Sequence, residues 1–314
     1  MARLSILFFG MEGVFSHAPL AALLAADHDV RAVVVPRPYA LSGQNVAPRL
    51  RAPRHSHGLT LQLAGQPNTP TIVDVAWGAG IPVLEIGRPS RPDTLAALSN
   101  YAPDVICVAC FPYLLPPKLL TVAKHGGYNV HPSLLPAYRG PSPLFWVYHD
   151  GLEYAGVTIH QMDAGADTGD IARQQSVALA DGTRYGAAER RLSGVGGKLL
   201  ADVLDDIAAG RLGLHPQPTR GASPAPTPGQ GDYTVATTWS ARRAFNFIHG
   251  LVEWGRPFTI PTEEGSLVVR DAAAYDAEQA LHAPTVWDGD RLAVAFRSGV
   301  VYIERGALED YPPG

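Results

Sequence analysis

The sequence predicts an α/β protein with a mostly parallel sheet and helices on both of its faces, followed by a small β-barrel. The N-terminal residues give the first observation, because an apolar run at 4–9, an Ala/Leu-rich segment at 17–26 and a second apolar run at 30–35 form a βαβ unit. The second observation is a Pro/Gly-rich segment at 215–231, which has the composition of a linker. The third is the series of short alternating segments beyond it, which is typical of a barrel. We therefore expect a doubly wound domain over 1–210, a linker over 211–231 and a barrel over 232–314.

Further elements follow from the same patterns of apolar residues. Strands are predicted at 83–86, 104–110, 128–130, 156–162 and 171–177, and in the barrel at 266–270, 291–296 and 299–304. Helices are predicted at 93–100, 117–123, 183–207 and 240–249. The sequence predicts no regular element over residues 37–75. A loop of that length inside a compact domain is usually functional or mobile.

Composition excludes several classes of protein. The chain has 314 residues, 46% of them apolar, and a formal net charge of −4, so it is not a generally basic nucleic-acid-binding protein. Two cysteines argue against a disulfide-rich secreted protein. No apolar run reaches the ~18–20 residues of a membrane span, and the N-terminal run is too short for a signal peptide. A cytoplasmic protein without membrane partners is expected.

The glycines and cysteines do not predict a cofactor site. Gly10 and Gly13 follow the first strand, but a dinucleotide site requires Gly-x-Gly-x-x-Gly there and an acidic residue after the second strand, which instead runs into Arg37. This argues against a nicotinamide-dependent oxidoreductase. Cys107 and Cys110 lie three apart in one apolar strand and face opposite sides of it, so two buried structural cysteines are expected rather than a metal site.

Asn129 and His131 are the residues most suggestive of chemistry. They lie two apart at the end of a predicted strand and can face the same side, at the sheet edge where such folds bind ligands. An amide donor holds a developing oxyanion and an imidazole moves protons, so the pair suits acyl transfer. Loop or capping residues give the alternative interpretation.

A second polar segment, 161–170, contains Asp163, Asp167 and Asp170. The ligand spacing and closing Glu of a Ca²⁺ loop are missing. Two interpretations stay open: a solvent-exposed acidic turn, or a carboxylate that reaches His131 and sets its tautomer.

Taken in order, Asn129-x-His131-Pro-Ser-Leu-Leu-Pro, Tyr138-Arg139-Gly140 and the segment from Gly156 to Asp170 resemble the 10-formyltetrahydrofolate-dependent formyltransferase family. The resemblance is strong over 104–177, and 232–304 is similar to the barrel of the family's methionyl-tRNA branch. It implies a Rossmann-like catalytic domain, an OB-like barrel and 10-formyltetrahydrofolate as the formyl donor. No metal is implied.

The resemblance also implies roles for particular residues. The catalytic trio falls on Asn129, His131 and Asp167. The pterin pocket falls on Phe111, Pro112, Tyr113, Leu114 and Leu115 and on Asp163, Ala164 and Gly165. Acceptor contacts are expected at Gly10, Ser133 and Arg139 and, within an Arg-bearing stretch that has no Asp or Glu, at Arg37, Arg49, Arg51 and Arg54. The alternative interpretation of these arginines is a solvent-exposed loop in an Arg-rich protein.

The formylated amine is left open between two acceptors. Initiator methionyl-tRNA is favoured because the barrel offers a second contact surface, with Arg242, Arg243 and Arg256 as candidates. However, 36–44 departs from the Arg/Lys-rich segment of the tRNA branch, and 139–143 resembles sugar-amine formyltransferases. The alternative acceptor is therefore an amino-sugar nucleotide or another small amine. A binding protein with a degenerate site is the alternative from a different class, against which the complete trio argues.

Overall fold

The protein contains an eight-stranded, mostly parallel sheet. A computed structural model describes residues 3–37, 45–49, 70–263 and 265–310. Along the chain the strands are β1 (Ser5–Gly10), β2 (Asp29–Pro36), β3 (Val46–Pro48), β4 (Val83–Ile86), β5 (Val105–Ala109), β6 (Gly127–His131), β7 (Tyr154–Gln161) and β8 (Ile171–Ala178), and their order in the sheet is β3-β4-β2-β1-β5-β6-β7-β8. This confirms the α/β class.

The strand order places a topological switch at the centre of the sheet. β1 pairs in parallel with both β2 and β5, and β5 pairs in parallel with β6. Successive strands therefore move outward in opposite directions from β1, and ligands bind beyond the carboxyl ends of strands at such a point. β3 is antiparallel to β4, and β7 is antiparallel to β6.

Seven α-helices occur within the described residues. They are α1 (Val14–Ala25), α2 (Ile72–Gly78), α3 (Pro92–Ser99), α4 (Pro117–Leu120), α5 (Pro143–Asp150), α6 (Tyr185–Ala208) and α7 (Ala241–Gly250). None of them combines the length and the apolar character needed to cross a membrane.

The core explains the continuous apolar runs of the central strands. Alternate residues of four strands, such as Leu7 and Phe9 of β1, form one cluster with Leu115, Leu119 and other side chains near α4. Ile6 and Phe8, on the opposite face of β1, are also fully buried. Strands covered on both faces need no polar alternation, which is why their sequences read as apolar runs.

Glycines inside α6 lower its helix propensity but allow close packing. A Cβ on Gly196 would lie 2.5 Å from the Val130 side chain, and one on Gly197 would lie 2.7 Å from the carbonyl oxygen of Ala18. The helix therefore packs tightly on β6, the strand that carries two predicted catalytic residues.

The remaining strands form two small antiparallel sheets. One has the order β15-β10-β9 and the other β11-β14-β13-β12. Their members are β9 (Phe258–Thr262), β10 (Gly265–Val269), β11 (Ala274–Asp276), β12 (Thr285–Asp288), β13 (Arg291–Ala295), β14 (Val300–Glu304) and β15 (Leu308–Asp310). The arrangement is consistent with the small barrel expected at this end of the chain.

By internal contacts the chain divides into two compact units. The first comprises 1–131, 157–175 and 192–219, and the second comprises 132–156, 176–191 and 220–314. The limits of 210 and 231 expected from composition stay a prediction.

Three elements before residue 210 depart from the sequence-based expectation. β3 lies inside 37–75, a stretch predicted to be irregular, and α2 begins within it. α5 lies where no helix was expected. Thr71 and Asp74 form a capping box that starts α2, and α5 begins with Pro143 and ends at Gly151 in the left-handed region.

Candidate active site

β6 places Asn129 and His131 on one face of the sheet, at its carboxyl end. Alternate residues of a strand point the same way, and both side chains belong to the first unit. The antiparallel register sets His160 of β7 opposite Asn129 and Thr158 opposite His131. His131 and His160 are almost fully buried, with 3% and 2% of their surfaces exposed. The expectation that Asn129 and His131 share a side is met.

Asp167 lies between β7 and β8 and faces all three of these side chains. Its Oδ2 is 3.6 Å from His131 Nδ1, and its Oδ1 is 3.4 Å from Asn129 Nδ2 and 3.5 Å from His160 Nε2. The open choice for the acidic segment is thereby resolved, because Asp167 is the carboxylate that reaches His131. These distances are long for hydrogen bonds, but catalytic contacts often tighten only when substrate binds.

The loop that carries Asp167 is held by its own polar groups. Asp163 Oδ1 accepts from the Gly165 N–H at 2.9 Å and from the Thr168 hydroxyl at 2.7 Å. Asp167 has a φ of +56°, a left-handed conformation that Asp adopts more readily than most residues. A Cβ on Gly169 would lie only 1.8 Å from the carbonyl oxygen of Gln161, so only glycine fits there. The two acidic residues therefore have different contacts: Asp163 stabilises the turn through its hydrogen bonds, and Asp167 faces His131 and His160.

Two contacts of the candidate site were not predicted from the sequence. His160 lies inside an apolar strand and reads as a core residue, although its position opposite Asn129 follows once the two strands are paired. Gln217 lies in the predicted linker, and its side-chain amide donates to the carbonyl oxygens of Asp167 at 2.8 Å and Gly169 at 2.7 Å. It is brought there because His215 and Ile171 exchange main-chain hydrogen bonds of 2.9 and 2.8 Å. The sequence carried no signal for that long-range contact.

The residues expected to form the pterin pocket lie in two segments of the first unit. The Phe111 ring packs edge-on against Phe9 at 5.3 Å and against Tyr113 at 5.7 Å. Leu115 is buried, whereas Leu114 has 66% of its surface exposed, an unusual state for a large apolar side chain. Pro112 is exposed, and so are Asp163, Ala164 and Gly165. These exposed apolar and turn residues are available to a bound ring, and their role in folate binding stays a prediction.

The expected acceptor contacts are dispersed. Gly10 is buried at the end of β1, where a Cβ would be 3.0 Å from each of three side-chain atoms. Arg37 follows β2, and Arg49 pairs with Glu12 at 2.5 Å and Glu85 at 3.6 Å. Arg51 and Arg54 lie outside the described residues.

Ser133 and Arg139 belong to the second unit. The buried Ser133 hydroxyl donates to the carbonyl oxygen of Ala137 at 2.7 Å. The Arg139 N–H donates to the carbonyl oxygen of Ser223 at 2.8 Å, and the Arg139 carbonyl oxygen accepts from the Ala225 N–H at 2.6 Å. Their predicted contacts with the acceptor, like those of the arginines, stay predictions.

The two cysteines differ in their exposure to solvent. Cys107 is buried, and burial raises the pKa of its thiol well above the usual range. Cys110 is exposed at the end of β5 with a φ of +55°, so the expectation that both are buried is wrong for Cys110. The strand ends at Ala109, and the turn after it directs Cys110 out of the core. Across the described part of the chain, no cluster of three or more His, Cys, Asp or Glu side chains is placed to hold a metal ion.

Comparison with known proteins identifies the family of the chain. Residues 7–204 match the family model described as formyl transferase. The chain belongs to the formyl transferase family. It is 34% identical over 243 residues to a methionyl-tRNA formyltransferase of Anaeromyxobacter sp. (strain K), covering 76% of this chain and 78% of that protein. It is 30% identical over 295 residues to the methionyl-tRNA formyltransferase of Pelotomaculum thermopropionicum, covering 94% and 87% of the two chains.

Solved structures show the same fold. The formyl transferase is similar to an N-formyltransferase from Helicobacter canadensis, solved with folinic acid and dTDP-3-aminofucose, with a TM-score of 0.64 and 13% identity over 96% of this chain and 98% of that one. It is also similar to HypX from Aquifex aeolicus in complex with tetrahydrofolic acid, with a TM-score of 0.57 and 15% identity over 96% of this chain and 44% of that one.

Proposed function

We propose that this formyl transferase moves the formyl group of 10-formyltetrahydrofolate to the amino group of methionyl-tRNA. The observation that carries the proposal is the convergence of Asn129, His131 and Asp167, with both Asp167 carboxylate oxygens within 3.4–3.6 Å of the other two side chains. The family match supports formyl transfer, and the names of the two relatives support the acceptor.

Each of the three side chains has its own role in the proposed reaction. The acceptor nitrogen attacks the formyl carbon, and the carbonyl oxygen gains negative charge in the tetrahedral intermediate. Asn129 donates an amide hydrogen to that oxygen, and protonated His131 donates a second, a stabilisation whose loss typically costs ~10²–10³ in rate. Asp167 stabilises the charged imidazole of His131. As the bond to N10 of the folate breaks, protonated His131 gives N10 a proton, and the neutral imidazole then takes the proton that leaves the amine, so that no proton is gained or lost overall.

A small-amine acceptor is the second candidate, and one observation favours it. Residues 232–314 contain seven arginines and no lysine against twelve carboxylates, a formal net charge of −5. Arg242 pairs with Glu153 and Asp181, Arg270 with Glu309, Arg291 with Glu304 and Arg305 with Asp290. A surface that binds RNA phosphates needs positive charge that is not neutralised by nearby carboxylates, and residues 232–314 have little of it. An amino-sugar nucleotide, such as the one bound to the Helicobacter canadensis protein, places a smaller demand on that charge.

Release of tetrahydrofolate tests the proposal. Methionyl-tRNA, a dTDP-linked amino sugar and buffer alone are compared as acceptors, with wild type, His131→Ala and the exposed-histidine control His282→Ala. Release that needs methionyl-tRNA, survives in His282→Ala and disappears in His131→Ala is the expected result. Release only with the dTDP-linked sugar supports the second candidate function, N-formylation of a small amine. Release without any acceptor identifies a hydrolase. No release with any acceptor overturns the proposed chemistry.

Salt dependence separates the two acceptors further. Each phosphate neutralised by the protein releases counterions, so the KM for methionyl-tRNA is expected to rise steeply between ~50 and ~200 mM salt. The KM for a dTDP-linked sugar depends on far fewer phosphate contacts and is expected to rise much less.

A further inference from the structure

His160 is a buried histidine that contacts the catalytic trio and has no role in the mechanism above. Its Nε2 lies 3.2 Å from Asn129 Nδ2, and its ring packs edge-on against His131 with centroids 6.2 Å apart. Only 2% of its surface is exposed, so its polar atoms must be satisfied inside the protein.

The second ring nitrogen decides the tautomer. Nδ1 of His160 lies 3.1 Å from the carbonyl oxygen of Gln161, and a carbonyl oxygen only accepts hydrogen bonds. The hydrogen of the neutral ring therefore lies on Nδ1, and Nε2 presents a lone pair. Asp167 Oδ1 also faces Nε2, but at 3.5 Å it lies farther away than Asn129 Nδ2 at 3.2 Å and farther than Gln161 O lies from Nδ1. A lone pair attracts the NH₂ end of the Asn129 carboxamide and repels its oxygen, which is how the orientation of an amide is assigned from its hydrogen-bond network.

We propose that His160 is a positioning residue for Asn129, in that its Nε2 accepts one hydrogen of the carboxamide and so aims the other at the reacting oxygen. The second hydrogen faces Asp167 Oδ1 at 3.4 Å, a weak contact that an oxyanion easily replaces. Without the acceptor, the carboxamide can turn by half a rotation and present its own oxygen to the developing negative charge. This inference rests on the proposed function, because it assumes that Asn129 serves an oxyanion.

A pair of amide variants separates this role from others. In His160→Gln the side-chain oxygen reaches the position of Nε2 and still accepts from Asn129. In His160→Asn the side chain reaches only the position of Nδ1, so it bonds to Gln161 and the acceptor for Asn129 is lost. Both variants remove the imidazole and keep a polar amide, and they differ by one methylene. Thermal unfolding establishes that both are folded, and His160→Met serves as an apolar third variant.

We expect His160→Gln to keep kcat within ~3-fold of wild type and His160→Asn and His160→Met to lose ~10–100-fold, up to the cost of one oxyanion donor. The KM for 10-formyltetrahydrofolate is expected to change by less than ~3-fold, because the lost interaction acts in the transition state. Equal losses in the folded Gln and Asn variants overturn the proposal, since they show that the imidazole itself is needed. Unchanged kcat in His160→Asn also overturns it.

A readout that needs no turnover keeps this test separate from that of the proposed function. In ¹⁵N-labelled wild type, the His160 ring is expected to carry its hydrogen on Nδ1, and the Asn129 side-chain amide is expected to exchange slowly with solvent. That exchange should accelerate in His160→Asn and stay slow in His160→Gln. A hydrogen on Nε2 of the neutral ring overturns the positioning role. If wild type releases no tetrahydrofolate with any acceptor, the proposed function fails, and the NMR result still decides the contact.

Discussion

The side-chain amide of Gln217 donates to the main-chain carbonyl oxygen of Asp167 at 2.8 Å. The same nitrogen donates to the carbonyl of Gly169 at 2.7 Å, so one carboxamide links both sides of the turn that presents the proposed catalytic carboxylate. Asp167 has a φ of +56°, a left-handed conformation that persists only where the surrounding structure supports it. Segment 215–219 therefore takes part in holding the turn that carries Asp167.

Replacing Gln217 with Leu should lower kcat by ~10–100-fold while the protein stays folded. The two carbonyls lose their donor, and a displacement of a catalytic group by about 1 Å can cost ~10²-fold in rate. Steady-state kinetics measure the effect. Gln174→Leu is the matched control, because Gln174 also donates its amide, to the Thr158 hydroxyl at 2.8 Å, from a position inside β8 rather than from the 215–219 segment. Equal kinetics in the two variants would show that the Gln217 contact is dispensable.

Gly169→Ala should destabilise the protein by about 3 kcal/mol and remove activity. Its Cβ would lie 1.8 Å from the Gln161 carbonyl oxygen, so the turn must shift as a unit. Chemical denaturation measures the loss in the free energy of unfolding. Gly213→Ala is the control, since a Cβ there has open space, and it should change stability by less than ~1 kcal/mol. A Gly169→Ala protein as stable as wild type would contradict the described turn.

The two carboxylates of the loop should respond differently to the same substitution. Asp167→Asn removes the charge that faces His131 and should lower kcat by ~10²-fold. Asp163→Asn keeps an oxygen that accepts from Gly165 and Thr168, so kcat should stay within ~3-fold of wild type. Any effect of Asp163→Asn is expected in the KM for 10-formyltetrahydrofolate, the ligand it is predicted to touch. A larger loss of kcat in Asp163→Asn than in Asp167→Asn would reverse the assignment.

His28 should make stability fall as the pH is lowered. It has 4% of its surface exposed, and neither ring nitrogen has a hydrogen-bond partner among the described residues. Burial lowers the pKa of His28 below its usual value of 6.5, outweighing the nearby Asp205 carboxylate. The unfolded chain therefore takes up a proton near pH 6.5 that the folded chain does not. Stability is lost as the pH falls through 6.5 towards the lower folded-state pKa, at up to about 1.4 kcal/mol per pH unit.

Denaturation midpoints between pH 7 and pH 5 check this expectation. The loss of stability over that range should be smaller in His28→Leu than in wild type, because Leu does not titrate. His282→Leu, at an exposed position, should keep the slope of wild type. Parallel curves for wild type and His28→Leu would show that His28 is protonated as easily in the folded chain as in the unfolded one.

The central strands and the trio were predictable because their signals are local. An apolar run bounded by Gly or Pro specifies a buried strand, and residues two apart on a strand share a face. Asn129 and His131 follow from those rules, whereas Asp167 depended on the resemblance to a family. Local signals were also present for the elements that were missed: Thr71 and Asp74 have capping-box spacing, and Pro143 and Gly151 bracket α5.

Contacts between distant segments were not predictable from one sequence. Gln217 reaches the Asp167 turn only because His215 pairs with Ile171, and nothing in the composition of a Pro-rich segment specifies that pairing. His160 had no signal of its own, since a histidine in an apolar strand is usually a core residue. Its role depends on which residue lies opposite on β6, and strand register is a property of the folded sheet.

The cross-strand pairing of Asn129 with His160 also bears on how such an enzyme can diversify. The pair is set by hydrogen bonds between β6 and β7, and the 22 residues of the connection, 132–153, do not enter into that register. Insertions, deletions or a whole exchange of the connection can therefore leave the reacting groups in place, provided that the strands keep their pairing. The predicted acceptor contacts Ser133 and Arg139 lie in this connection. If they recognise the acceptor, specificity can evolve separately from the chemical step, and residues 132–153 are the segment to graft between formyl transferases of different specificity.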